Sequence, residues 1–229
     1  MRFPSLRSCL LLAVLFQMIS CAGAPGPAVI QQPLPLEMDD TRCRLPFPHG
    51  KWEFVHSIQA ALSGAPKVTL IGVTALDSRT GAVACALMTV EGMVLFDARY
   101  DGEIHVGRAV SPFDSTAFAR GLINDIRFMF LPPDGRPVAS GRSEDGAFIC
   151  RYGTTDAMTV DIVIHGDRGW GIRQYDGDDR LIRSLTTDPH NPGAAQAGTP
   201  IPARLKLTAS GPAEYALTLD LIEARELGR

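Results

Sequence analysis

From Trp52 onward the chain is cut into short apolar runs by turn-forming residues, and this punctuation limits the folds open to it. KVTLIGVTALD leads into Ser78-Arg79-Thr80-Gly81 and then AVACALMTV. Glu91-Gly92 separates that run from MVLFDARY, and Asp101-Gly102 separates MVLFDARY from EIHVGRAV. An Asp-Gly pair is a strong hairpin signal, because type I′ turns need positive φ at both central residues. Asp145-Gly146 divides PVASGRS from AFICRYG, and His165-Gly166-Asp167-Arg168-Gly169 follows MTVDIVI. Asp176-Gly177-Asp178-Asp179 divides GIRQY from RLIRSL, a Pro/Gly-rich loop precedes ARLKLT, and Gly211-Pro212 turns into YALTLDLIEARE. Runs joined by such short loops must be antiparallel, since a parallel pair needs a crossover of a dozen or more residues. The predicted fold class is mainly β: a curved antiparallel meander of about a dozen strands.

The faces of these runs agree. Tyr215, Leu217, Leu219 and Leu221 share one side of their run, with Thr218 and Asp220 on the other. Leu205 and Leu207 oppose Arg204 and Lys206, while Met158, Val160, Ile162 and Ile164 fall together. One apolar and one wet face suit a sheet wrapped around a single interior. Residues 52 to 62 (WEFVHSIQAAL) read as a strand on their Val, Ile and aromatic content. One segment departs from the pattern. Phe118, Leu122, Ile126 and Met129 or Phe130 recur at helical spacing, with Arg120, Asn124 and Arg127 elsewhere. Asp114 is the predicted cap of a helix beginning at Ser115, and Pro132-Pro133 ends it. This helix is expected to supply cover for the open side of the sheet.

The N-terminus gives a second line of argument. Arg2 and Arg7 precede an apolar run from Cys9 to Ile19, broken only by Gln17, as in a secretory signal peptide. The run is shorter than the ~20 apolar residues that span a bilayer. Ala22 and Ala24 fit a plain signal peptidase site. Met18-Ile19-Ser20-Cys21 resembles a bacterial lipobox, with Met18 where Leu is usual. That resemblance implies acyl chains on Cys21, more than one of which holds a protein stably on a membrane. Ala22 rather than Asp after the cysteine implies the outer membrane. The expected organisation is a signal peptide over 1–20, a lipid anchor and flexible tether over 21–48, and one domain over 49–229. The tether reading rests on the Pro, Gly, Ala and Gln content of residues 22 to 48.

The chain has 22 Lys+Arg against 25 Asp+Glu, net −3; without Arg2 and Arg7 the balance is 20 against 25, net −5. With no basic run, this argues against a nucleic-acid partner. After Cys9 and Cys21, three cysteines remain. One disulfide with one buried thiol, or three separated thiols, both fit. Cys85 in AVACALM suits the buried role, which makes Cys43 and Cys150 the candidate pair. No Cys-x-x-Cys or His-rich spacing points to a metal, and no cofactor is expected.

No catalytic constellation stands out. The chain carries no Gly-x-Ser-x-Gly elbow and no Walker loop. His49 and His190 fall in Pro-rich loops and read as solvated, and His56, His105 and His165 read as surface or hydrogen-bonded strand residues. Asp176 to Asp179 lacks the ligand run and terminal Glu of an EF-hand and reads as a hairpin turn. Ser140, Ser143 and Ser184 have no evident base. The chain is read as a non-enzyme.

The arrangement resembles the unclosed β-barrel with a helical lid of the lipoprotein carrier LolA and the outer-membrane receptor LolB. More closely, it resembles uncharacterised bacterial lipoproteins often encoded beside aryl-polyene biosynthesis genes. The resemblance covers roughly residues 45 to 226, through Trp52, VTLIGVTAL, GMVLFDARYDG, FARGLINDIRFMF and YALTLDL. It implies an apolar cavity for the acyl chains of a lipid or lipoprotein cargo. The candidate lining is Phe118, Leu122, Ile126 and Phe130 on the lid, with Val160, Ile162, Leu217 and Leu219 on the sheet. Each of these also suits an ordinary core, and a filled barrel would leave an adaptor that binds another envelope protein.

Overall fold

A computed structural model describes residues 26–34, 40–62, 64, 66–154, 156–166, 169–188, 202–211 and 214–228. The predicted signal peptide, Cys21 and His190 lie outside these residues. Among the described residues, thirteen strands and two helices run in the order β1 (Gln32–Pro33), α1 (Asp40–Arg44), β2 (Lys51–Leu62), β3 (Val68–Asp77), β4 (Ala82–Met88), β5 (Val94–Tyr100) and β6 (Ile104–Ala109). Then come α2 (Thr116–Phe130), β7 (Ala139–Arg142), β8 (Phe148–Gly153), β9 (Thr159–Ile164), β10 (Trp170–Tyr175), β11 (Leu181–Thr187), β12 (Arg204–Ala209) and β13 (Tyr215–Glu226).

All strands form one antiparallel sheet in the order β1-β7-β8-β9-β10-β11-β12-β13-β2-β3-β4-β5-β6. Two meanders, β2 to β6 and β7 to β13, are therefore joined by pairing of the last strand with the second, from Tyr215 opposite Leu62 to Glu226 opposite Trp52. The sheet does not close. Its break in sequence order falls between β6 and β7, and α2 is the segment that connects them. The lid is thus the crossing between the two meanders, laid over the inner face.

The helix begins one residue later than expected. Ser115, not Asp114, is the cap: its backbone is extended, and its hydroxyl accepts from the Phe118 N–H at 3.1 Å. Either residue suits the position chemically, and the register is decided by which hydroxyl or carboxylate reaches the third N–H. The β5–β6 turn also differs from a type I′ pair. Three residues, Asp101 to Glu103, connect the strands, and only Gly102 takes positive φ, at 111°. The Asp176–Asp179 stretch is a hairpin turn, in which Asp176 Oδ1 accepts from the N–H groups of Asp178 and Arg180.

The tether expectation is corrected at residues 26–34 and 40–48, which pack on the sheet. Pro33 lies on the edge strand β1, opposite Gly141 of β7, and at an edge a missing N–H does no harm. A Cβ on Gly141 would collide with the Gln32 carbonyl, so glycine permits this approach. Ala28 and Ile30 cover Ala147, Ile149 and Val163 on the outer face of β8 and β9. Beneath them Arg151 donates two bonds to Asp161, both 2.7 Å, and a third to the Ala28 carbonyl at 2.7 Å. Farther along, Cys43 of α1 is joined to Cys150 of β8 by a disulfide, with Cα atoms 5.8 Å apart. Phe47 is buried near Trp170. Residues 26–34 and 40–48 thus pack with the sheet, and Cys85 is a buried free thiol. Composition hid a strap: the short Ala28–Val29–Ile30 run is too brief to register among prolines and glycines.

Candidate functional site

Alternation along β2 sends Trp52, Phe54, His56 and Ile58 to the inner face, where Phe54 and His56 meet Phe130 of α2. Trp52 stacks on Phe54, and Phe54 stacks on Phe130 of the helix with ring centres 5.0 Å apart. At the other end of α2, Phe118 meets Phe96 edge-on at 5.2 Å and Phe113 at 5.1 Å. Two cations sit over rings along the same helix, Arg127 over Tyr100 and Arg183 over Phe128.

Under the middle of α2 lies a cavity of about 30 Å³. Leu122, Ile126 and Phe130 line it from the helix, and Leu217 and Leu219 from β13, so five of the eight expected lining residues converge there. The other three are placed elsewhere. Phe118 packs into the aromatic group at the start of the helix, Val160 lines a cleft at its far end, and Ile162 is fully buried in the core. A volume of about 30 Å³ is the share of one water molecule in liquid, far below the ~300–1,000 Å³ of small-molecule pockets. With the lid in this position the cavity beneath it is too small for an acyl chain.

Larger openings flank the lid. A cleft of about 630 Å³ at its N-terminal end is lined by Phe96, Ile104, Val106, Ala109 and Phe113, with Glu103, Asp114 and Arg120 among its polar residues. A second, of about 490 Å³, lies at its C-terminal end between Phe128, Leu131, Pro132, Val160 and Ile172. Each has the size of a ligand pocket, and the 30 Å³ cavity lies beneath the helix whose two ends they flank.

The interior also holds a polar group that the sequence reading did not assemble. Asp125 projects from the apolar side of α2. Its Oδ2 accepts from the Tyr215 hydroxyl of β13 at 2.6 Å, and its Oδ1 lies 3.4 Å from an Arg183 nitrogen of β11 without a hydrogen bond's alignment. Burial pushes the Asp125 carboxyl above its ordinary value, with Arg183 and Tyr215 pulling the other way. His56, expected at the surface or hydrogen-bonded, is 2% exposed and lines the same cavity; its Nε2 has no hydrogen-bond partner. Burial lowers its pKa to about 4 against the opposing charge of Asp220, so the ring is neutral near pH 7. Cys85, also on the cavity wall, has its thiol pushed up to about 11 by burial. Two signals for this cluster are in the sequence. His56 shares the parity of Trp52 and Phe54, and Asp125 falls three residues after Leu122 on the apolar stripe.

His49 and His105 are exposed. Among the described residues no group of three or more His, Cys, Asp or Glu could hold a metal ion, and no helix is long and apolar enough to cross a membrane.

An unclosed antiparallel sheet with one helix laid over its inner face defines a LolA/LolB-like fold. Among solved structures, the chain is similar to the LolA superfamily protein NE2245 from Nitrosomonas europaea, with a TM-score of 0.58 and 10% identity over 86% of this chain and 95% of that one. A putative outer membrane lipoprotein-sorting protein domain from Vibrio parahaemolyticus matches with a TM-score of 0.48 and 11% identity, over 83% of this chain and 91% of that one. No protein-family model and no curated protein matches the sequence.

Proposed function

We propose that the chain is a non-enzymatic envelope lipoprotein that binds acyl chains, of a lipid or of a lipoprotein cargo, between α2 and the inner face of the sheet. The observation that carries this reading is an apolar interior covered by a single helix, with a ligand-sized cleft at each end of that helix. The fold shared with the LolA superfamily protein supports it.

The energetics are favourable. Shielding a sixteen-carbon chain from water is worth roughly 12 kcal/mol at ~0.8 kcal/mol per methylene. Lifting α2 to admit it exposes Ile126, Met129 and Phe130 to water only until the chain fills the gap. The bound chain then replaces the helix contacts with its own.

Cys21 is the proposed lipid attachment point, at the outer membrane and facing the periplasm. Because Gly26 already belongs to the packed body, near Asp179, only five chain steps separate it from Cys21. At ~3.6 Å per residue they reach at most about 18 Å, so the anchor holds the barrel close to the bilayer. Cys21→Ala is expected to release the protein from the membrane fraction.

Native mass spectrometry of residues 22–229, purified after periplasmic expression, tests the binding reading. A discrete added mass, lost on organic extraction and identified as a lipid, is the expected result. A bare chain that also fails to take up fatty acid favours a second reading, an adaptor with a filled barrel that binds an envelope protein. The 30 Å³ interior cavity is the observation on that side.

A further inference from the structure

Of the residues that line the cavity beneath α2, His56 at Nε2 and Asp125 at Oδ1 have no hydrogen-bond partner among the described residues. Leaving such atoms buried without a hydrogen bond costs about 1–3 kcal/mol each, offset in part at Asp125 by the Arg183 charge 3.4 Å away, so an apolar cargo site gains nothing from them. Their characters differ. The carboxylate oxygen only accepts, while the neutral imidazole has one nitrogen that donates and one that accepts.

We propose that this pair recognises a hydroxyl group, and that the preferred ligand is a hydroxylated acyl chain rather than a plain one. The inference rests on the acyl-binding reading above. A hydroxyl can give its proton to Asp125 Oδ1 and accept from a His56 Nε2–H, satisfying both atoms at once. Other groups fit less well. A ketone or ester carbonyl satisfies only the histidine, and a carboxylate meets the Asp125 charge. An ammonium group brings a cation beside Arg183, which already lies 3.4 Å from Asp125. With α2 closed the cavity has room for an oxygen alone, at about 30 Å³, and the walls that α2 uncovers on lifting, including Ile58, Leu87 and Leu219, suit the hydrocarbon on either side.

The test is a comparison of hexadecanoic acid with its 3-, 9- and 16-hydroxy derivatives, by calorimetric titration into residues 22–229, which contain every described element. At least one hydroxylated chain is expected to bind about tenfold more tightly than the plain chain. His56→Leu should remove that preference, so that the affinities for hydroxylated and plain chains converge, and a wild-type circular dichroism spectrum reports that the variant is folded. His56→Gln, which retains a donor and an acceptor, should restore part of it. Equal affinities across the series overturn the hydroxyl proposal and leave the acyl-binding reading standing. A preference that survives His56→Leu overturns it too, since the hydroxyl is then read elsewhere. No binding by any chain overturns both readings.

Discussion

The Tyr215 hydroxyl donates to Asp125 Oδ2 at 2.6 Å, so the last strand of the sheet holds the middle of the lid helix by a charge-assisted bond inside an otherwise apolar interior. Arg183 adds to the same contact from β11, through Asp125 and through the ring of Phe128. Dispersion and burial hold the rest of α2 without direction. This polar contact fixes where along the sheet the helix sits.

Tyr215→Phe should therefore loosen the lid more than the sheet. The loss in stability is expected to be about 1.5–3 kcal/mol, the range for a hydrogen bond to a charged group. Cys85 offers the readout, since it is a buried free thiol on the cavity wall while Cys43 and Cys150 are bonded to each other. Maleimide labelling of the wild-type thiol is expected to be slow at pH 8, where a group held up to about 11 is almost wholly protonated. The variant should label several-fold faster. An unchanged rate, in a variant that has lost stability, would mean the bond does not govern the lid.

Acid should weaken the fold through His56. Its folded-state pKa, about 4, lies below the ordinary 6.5, so the unfolded chain binds more protons between those values. The stabilisation is complete above pH 6.5 and is lost progressively down to pH 4. The full difference is on the order of 3 kcal/mol. Asp125 acts in the opposite sense, because its raised pKa makes the folded state take up a proton first as pH falls. Urea midpoints from pH 7.5 to 4.5 should fall in the wild type and fall less in His56→Leu. Parallel curves would contradict the assignment.

On the outer face, Arg151 should hold the strap. Asp161 is fully buried and Arg151 is its bidentate partner, while the same guanidinium binds the Ala28 carbonyl. Removing one member of a buried pair costs about 3–5 kcal/mol. Arg151→Ala is expected to lower stability by that amount and to release residues 26 to 34. Limited proteolysis should then cut within this segment before the barrel, whereas simultaneous loss of both would mean the strap is integral to the sheet.

The sheet was legible because its determinants are local. Leu205, Leu207, Leu217 and Leu219 alternate with polar residues, and glycine turns mark nearly every strand end. The pairing of β13 with β2 was not, since no local rule says which strands of two meanders meet. β1 was missed because its two residues sit among prolines and are held by partners more than a hundred positions away. The interior told a similar story. Periodicity put Leu122, Ile126, Leu217 and Leu219 on inward faces, and only the family resemblance implied that they line a cavity. Periodicity does not weigh a histidine or an aspartate on an apolar face, so His56 and Asp125 emerged only when three elements were brought together.

The most direct test of acyl binding under the lid is photocrosslinking with a diazirine-bearing hexadecanoic acid, followed by peptide mapping of residues 22–229. The account predicts adducts on α2 between Leu122 and Phe130 and on β13 at Leu217 and Leu219, competed away by unlabelled fatty acid. Adducts confined to the outer face of β3 to β6, around Val73 and Ala84, or none that compete, would contradict it.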